Sequence, residues 1–214
     1  MRKSFFKKGE YFHIFNKSIA NFNIFKSKSN SIRFLETLDY YNNIKPKTKL
    51  SIAKDKQLYY YNNLIYPKSD SILKFISYCV MPDHYHLLIK INYDDMLSKF
   101  INIIENSYTR FFNSKYKRKG PLWQSAFKAV IISSNEQLLH TTRYLHLNPT
   151  TSGYVKKPED WQFSSYKDFI TNPNLLKREL TEITISNNLV YQSFVENNLD
   201  YQRKLRIIKK LIIE

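Results

Sequence analysis

Two apolar runs, residues 71–81 and 84–91, are separated only by Pro82 and Asp83. Proline presets the φ of a turn and aspartate favours one, so the runs predict antiparallel strands joined as a hairpin. Asp94-Asp95 then reads as a helix start, and Leu97, Phe100, Ile101, Ile104, Tyr108 and Phe111 recur at helical spacing as a single apolar stripe. A hairpin and an amphipathic helix must bury their apolar sides against further elements, and the flanking sequence supplies them. Residues 10–18, rich in aromatic and β-branched side chains, predict a first strand, and Ile32, Leu35 and Leu38 predict a helix over 31–41. Residues 122–132 read as a fourth strand. A last helix starts at Ser134, where Gln137 completes a capping box, and Pro149 can end it. The order strand, helix, strand, strand, helix, strand, helix is that of a ferredoxin-like α+β fold, an antiparallel sheet with helices packed on it.

Two stretches fall outside this pattern. Residues 42–70, polar and interrupted by Pro46 and Pro67, read as a long connection with a short ordered piece around 58–65. From Leu175 the chain becomes a charged helical tail over 189–199 and 201–213, with Leu205, Ile208 and Leu211 at helical spacing. The expected division is a domain over 1–170 and a helical C-terminal extension over 171–214. For the extension, packing on the core, homodimer formation and DNA binding all stay open.

Charge narrows the partner. Lys and Arg number 34 against 18 Asp and Glu, a formal net charge of +16 over 214 residues, which points to a polyanion and first of all to nucleic acid. A lysine-rich composition bias explains part of the lysine but not the scarcity of acids. The 43% hydrophobic and 16% aromatic content argues for a folded chain. A single cysteine, Cys79, excludes an intramolecular disulfide and a cysteine zinc site. Without a continuous apolar leader or an 18-residue apolar window, a soluble, cytoplasmic protein with no membrane partner is expected.

The chemistry rests on two segments. His84 and His86, at i and i+2 of the third strand, point to one face. On the helix over 135–148, His140, Tyr144 and Asn148 are four apart and form one column. Two neutral imidazoles and one amide oxygen supply three ligands and leave positions open for substrate, a mixed set suited to Mg²⁺ or Mn²⁺. Tyrosine, with an ordinary pKa of about 10, is a weak nucleophile unless the phosphate it attacks is polarised. Asn148 and Tyr144 are then about 6 Å apart along the helix axis. His146 turns to another face and reads as structural, as does His13; His140 is an outer neighbour of the site or simply exposed. Trp123 and Trp161 read as core anchors. Lys115, Lys117, Arg118 and Lys119, with Phe111, Phe112 and Tyr116 interleaved and Gly120 as helix cap, form a candidate phosphate-binding patch, to which Lys128 and Arg143 are added as DNA-contact candidates.

Met81-Pro82-Asp83-His84-Tyr85-His86, Leu122-Trp123-Gln124, Tyr144-Leu145-His146-Leu147-Asn148-Pro149, Gly153 and Trp161-Gln162-Phe163-Ser164-Ser165-Tyr166, in this order over residues 9–169, resemble the single-tyrosine HUH transposases, and among them the REP-associated tyrosine transposases. The resemblance implies a metal-dependent endonuclease and strand transferase acting on single-stranded DNA with hairpin or palindromic ends, in the nucleoid of a bacterium or archaeon. It gives His84, His86 and Asn148 as metal ligands and Tyr144 as the nucleophile that forms a 5′-phosphotyrosine. The chain departs from the family at Ser125-Ala126 and Thr150-Thr151, where relatives carry a basic residue that would contact phosphate. A domesticated protein that holds a DNA or RNA hairpin without cutting is the rival reading. A nucleotide hydrolase of the histidine-triad type is disfavoured, because Leu88 stands where a third alternating histidine is needed.

Overall fold

The computed structural model describes residues 6–43, 48–61, 63–66, 70–185 and 187–204. Four strands, β1 (Tyr11–Lys17), β2 (Leu73–Val80), β3 (His84–Ile91) and β4 (Lys128–Ile132), form one sheet in the order β2-β3-β1-β4. That is the strand order of a ferredoxin-like fold, and β1 and β3 pair antiparallel at its centre, with Phe15 opposite His86 and His13 opposite Leu88. The helices are α1 (Lys28–Tyr41), α2 (Leu50–Asp55), α3 (Met96–Lys115), α4 (Asn135–Thr151), α5 (Tyr166–Thr171) and α6 (Asn188–Glu196). Among the described residues no helix is long and apolar enough to cross a membrane.

By contacts the chain forms two compact units, one of residues 1–75 and 80–131, the other of residues 76–79 and 132–214. The boundary expected at 170/171 falls inside the second.

In the first unit, alternation along β1 and β3 sorts the side chains. Phe12, Ile14 and Asn16 on β1 and Tyr85, Leu87 and Ile89 on β3 are buried. Tyr85 meets Phe34 of α1 at 5.0 Å between ring centroids and bonds to Glu105 of α3, which marks this as the face under α1 and α3. His13, His84 and His86 therefore lie on the opposite face. α1 starts three residues earlier than the spacing predicts, with Ser27 as its cap accepting from the Asn30 amide. Its core residues are Phe34, Leu35 and Leu38, while Ile32 is exposed. α3 buries Leu97, Phe100, Ile101, Ile104 and Tyr108 as its apolar stripe predicts.

The end of α3 differs from expectation. Tyr116 is the C-cap, and Lys117 takes the left-handed conformation at φ 49 just beyond it. The Arg118 amide donates back to the Asn113 carbonyl at 2.8 Å, so lysine occupies the place where a glycine is usual. Gly120 sits farther along the loop.

The fourth strand is shorter than predicted. Residues 122–124 run beside the end of β1, through Ile19 N–H to Leu122 O and Gln124 N–H to Lys17 O. The Asn16 side chain then donates to Ser125 O at 3.0 Å, and strand geometry resumes only at Lys128. Among the described residues of the long connection the regular element is α2, whose Leu50 and Ala53 are buried; in the piece expected around 58–65, Leu58 is exposed while Leu64 and Ile65 are buried. Pro46 and Pro67 lie outside the described residues.

In the second unit, Pro149 does not end α4, which runs two residues further. The Ser134 cap accepts from the Gln137 amide as expected, but the Gln137 side chain accepts from Ser133 N–H instead of closing the box on Ser134. α4, α5 and α6 pack around His146, Tyr166, Phe169 and Tyr191. Leu175, Leu176, Leu180 and Ile183 are buried, so the start of the predicted tail belongs to this core. Leu205, Ile208 and Leu211 lie outside the described residues.

Candidate metal and tyrosine site

Each half of the expected site has its own geometry, the histidines in the first unit and the tyrosine helix in the second. On β3 the imidazoles of His84 and His86 are 5.0 Å apart between centroids and nearly perpendicular. Asp83, in the hairpin turn, lies 2.6 Å from His84 Nδ1 and 3.5 Å from Lys17 Nζ. Burial works to raise the Asp83 carboxyl, but the His84 hydrogen bond and the charges of His84 and Lys17 outweigh it and hold the group below its ordinary range. Asp83 is thus an ionised acceptor and His84 Nδ1 a donor, which in the neutral ring leaves the lone pair on Nε2.

His86 is buried, and burial, reinforced by the charges of His84 and His13, pushes its pKa well below the ordinary histidine value. Neutral imidazole is the form that ligates metal.

The residue that sequence reasoning missed is His13. Its Nε2 lies 2.9 Å from His86 Nδ1, and burial lowers its pKa to about 4. A signal existed. In the ferredoxin order β1 and β3 are neighbours, and antiparallel pairing sets an outward β1 residue diagonally against the His-x-His pair. With both rings neutral, one nitrogen of the 2.9 Å pair donates. If it is His86 Nδ1, the lone pair of His86 falls on Nε2, matching His84.

Tyr85, between the two histidines, points the other way and fixes the strand to the helix layer. Its hydroxyl donates to Glu105 Oε1 at 2.8 Å, and Asn16 Nδ2 donates to the same oxygen at 2.7 Å. Trp123 closes this network, its indole N–H reaching Glu105 O at 3.2 Å and Thr109 Oγ1 at 3.1 Å. It is a core anchor, as expected.

In the second unit, Tyr144 and Asn148 stand one turn apart on α4 with opposite exposure. Tyr144 is 43% exposed, whereas Asn148 is buried and its Oδ1 accepts from Ser152 Oγ at 3.1 Å. A carbonyl oxygen has two lone pairs, so one acceptor position remains. His146 is fully buried between Tyr191 Oη and Ser165 Oγ, each at 2.7 Å, and burial drives its pKa down to about 3, as a structural histidine requires. His140 is exposed and bonds Arg143.

The cationic candidates divide. Lys117 and Lys119 are exposed, and Lys128 is exposed with its ammonium 5.9 Å over Phe15. Lys115 bonds Ser29 Oγ and Asn30 Oδ1. Arg118 is committed to Asn113 Oδ1 and Pro121 O, and Arg143 lies 4.6 Å over Phe194.

Among the described residues no three His, Cys, Asp or Glu side chains converge as a metal set. The expected set contains only two of those types, so His84 and His86 need an oxygen donor of another kind. An imidazole oriented by a carboxylate and a buried neutral partner on one strand fit a divalent cation that takes its other ligands from oxygen.

Residues 42–148 match the family model described as Transposase IS200 like. Over 102 residues the chain is 31% identical to a curated REP-associated tyrosine transposase of Haemophilus influenzae, covering 42% of this chain and 57% of that protein. Over 104 residues it is 27% identical to the REP-associated tyrosine transposase of Escherichia coli, covering 48% of this chain and 60% of that one. The chain thus spans less than two thirds of the length of these relatives. A solved REP-associated tyrosine transposase bound to a REP hairpin shares the fold, with a TM-score of 0.54 and 19% identity over 80% of this chain and 85% of the other. The match across half of the sequence settles the family: the chain belongs to the IS200-like transposases.

Proposed function

We propose that this protein cleaves and rejoins single-stranded DNA at hairpin ends through a covalent bond to Tyr144. It would act as a transposase in the cytoplasm, at the nucleoid. The observation that carries the reading is the Asp83-His84-Tyr85-His86 segment, in which one imidazole is oriented by a carboxylate and the other is kept neutral by burial. Family membership supports it, and a relative of the same fold is bound to a REP hairpin.

In this scheme His84, His86 and the Asn148 amide oxygen would hold Mg²⁺ or Mn²⁺. The ion, when bound, polarises the scissile phosphate and offsets the charge that develops on it. Tyr144 Oη attacks phosphorus, the P–O3′ bond breaks, the phenolic proton leaves to water and the departing O3′ gains one. The products are a 5′-phosphotyrosine and a free 3′-hydroxyl. Attack by a 3′-hydroxyl on the phosphotyrosine reverses the step and rejoins the strand. His13 and Asp83 set the ring orientation of the two histidines, and Ser152 orients the Asn148 amide.

Hairpin DNA incubated with Mn²⁺ or EDTA and resolved on a denaturing gel tests the scheme. Metal-dependent cleavage by wild type, lost in His84→Ala/His86→Ala, is expected; cleavage by the double variant contradicts it. The neutral side chains at Ser125 and Thr151 favour a second reading, a hairpin-binding protein that does not cut. Salt-sensitive hairpin binding with no cleavage in either metal would establish that reading.

A further inference from the structure

In the first unit, α1, α2 and α3 border an open cavity of about 460 Å³ on the helix side of the sheet, the face opposite the histidines. Arg33, Lys49, Arg110 and Lys115 line it, with hydroxyls from Ser107 and Ser114 and no acidic side chain. Phe111 forms part of the wall, with the Arg33 guanidinium 5.2 Å and the Lys115 ammonium 5.6 Å from its ring centre.

These cations are poorly neutralised. Among the described residues no carboxylate pairs with Lys49, Arg110 or Lys115, and Lys115 bonds only the neutral oxygens of Ser29 and Asn30. Arg33 is 3.9 Å from Glu36, but Glu36 is engaged by Lys54 at 2.5 and 2.6 Å. The Arg33 side chain is only 14% exposed and its Nε is buried with no hydrogen-bond partner. A buried guanidinium N–H left unsatisfied is destabilising, and four like charges around one cavity repel, so the arrangement favours an anion. Arginine forks and ammonium groups around a pocket with hydroxyl donors match phosphate oxygens.

We infer that this cavity is a second nucleic-acid site, taking backbone phosphates of the hairpin while the phosphodiester to be cut lies at the histidine face. The inference rests on the DNA reading above. It extends the basic end of α3 to Arg33 and Lys49, which lie far from Lys115 in sequence and which charge runs along the chain do not reveal. Contacts here carry no sequence information; they add affinity and register through counterion release.

The test is hairpin binding by fluorescence anisotropy between 50 and 200 mM salt, for wild type and the Lys49→Gln/Arg110→Gln double variant. Both side chains are exposed, so folding is not at stake, and Mn²⁺ titration of the histidine site checks that it is intact. Binding about tenfold weaker and a salt slope shallower by about two are expected, irrespective of hairpin sequence. An unchanged slope and affinity in the variant, with wild type binding normally, overturns the cavity assignment alone. Wild type that binds no hairpin overturns the DNA reading and this site together. Deoxyadenosine monophosphate perturbing the Phe111 and Arg110 resonances, with the hairpin slope unchanged, would assign the cavity to a free nucleotide and overturn the polynucleotide.

Discussion

Glu105 offers the sharpest stability prediction, because one oxygen serves two buried donors. Oε1 accepts from Tyr85 Oη at 2.8 Å and Asn16 Nδ2 at 2.7 Å, and both donors come from the central strands. In Glu105→Ala the Tyr85 hydroxyl, whose residue is fully buried, loses its acceptor, which costs about 1–3 kcal/mol. Asn16 keeps its donor bond to Ser125 O and loses the one to Glu105, and the missing atoms of a buried side chain leave a gap. The sum is about 2–5 kcal/mol, or roughly 4–20 °C in Tm for a chain of this size. Glu105→Gln keeps an oxygen for both donors and separates charge from hydrogen bonding. Burial raises the Glu105 pKa, and the bonds from Asn16 and Tyr85 only partly oppose it. The folded carboxyl therefore holds its proton to higher pH than the unfolded one. That contribution is complete below the unfolded pKa of about 4.3 and is lost as pH rises through the folded value. Glutamine does not ionise, so Glu105→Gln should gain on wild type as pH rises above about 4. Urea unfolding at pH 4 and pH 7.5 reads both effects. A Glu105→Ala variant within 1 kcal/mol of wild type, or a Glu105→Gln variant that loses ground as pH rises, would refute the reasoning.

Three further outcomes are expected. His13→Ala should weaken Mn²⁺ binding about 10–100-fold, as loss of an orienting partner does, and shift the His86 ring nitrogens in ¹⁵N NMR toward a mixed tautomer; an unchanged spectrum and affinity would show that His13 only fills space. Tyr191→Phe should cost about 1–3 kcal/mol in urea unfolding by stranding His146 Nδ1, and an unchanged midpoint would contradict the buried bond. Ser152→Ala should weaken metal-dependent cleavage while leaving hairpin affinity intact, and equal cleavage rates would show that the Asn148 amide needs no orientation.

The hairpin and α3 were readable in the sequence because periodicity is strongest where burial is one-sided. The β3 limits match the apolar run after Pro82-Asp83, and the α3 stripe is buried where its spacing places it from Leu97 to Tyr108, after which Phe112 and not Phe111 is the buried ring. Misreadings fall where side chains replace the signals that periodicity uses. Asn16 donates to the backbone at Ser125 and cuts the fourth strand short, and Lys117 takes a left-handed cap expected of Gly120. Pro149 stays inside α4, where burial of its surroundings outweighs its breaking tendency. At the site, His84 and His86 stand out by alternation along one strand. His13 does not, since its partner lies 73 residues away and only pairing of β1 with β3 brings the rings together. Of the cavity cations only Lys115 was legible, in the basic run that ends α3; Arg33 and Arg110 come to one cavity only through the packing of α1 on α3.

The proposed function stands on covalent joining of Tyr144 to DNA. Its most direct test is protease digestion of the reaction between wild-type protein, hairpin DNA and Mn²⁺, with mass spectrometry locating the nucleotide adduct. The account predicts a 5′-phosphotyrosine on the peptide carrying Tyr144 and no adduct in Tyr144→Phe. An adduct on Tyr85, Tyr108 or Tyr154, or one that persists in Tyr144→Phe, would contradict it.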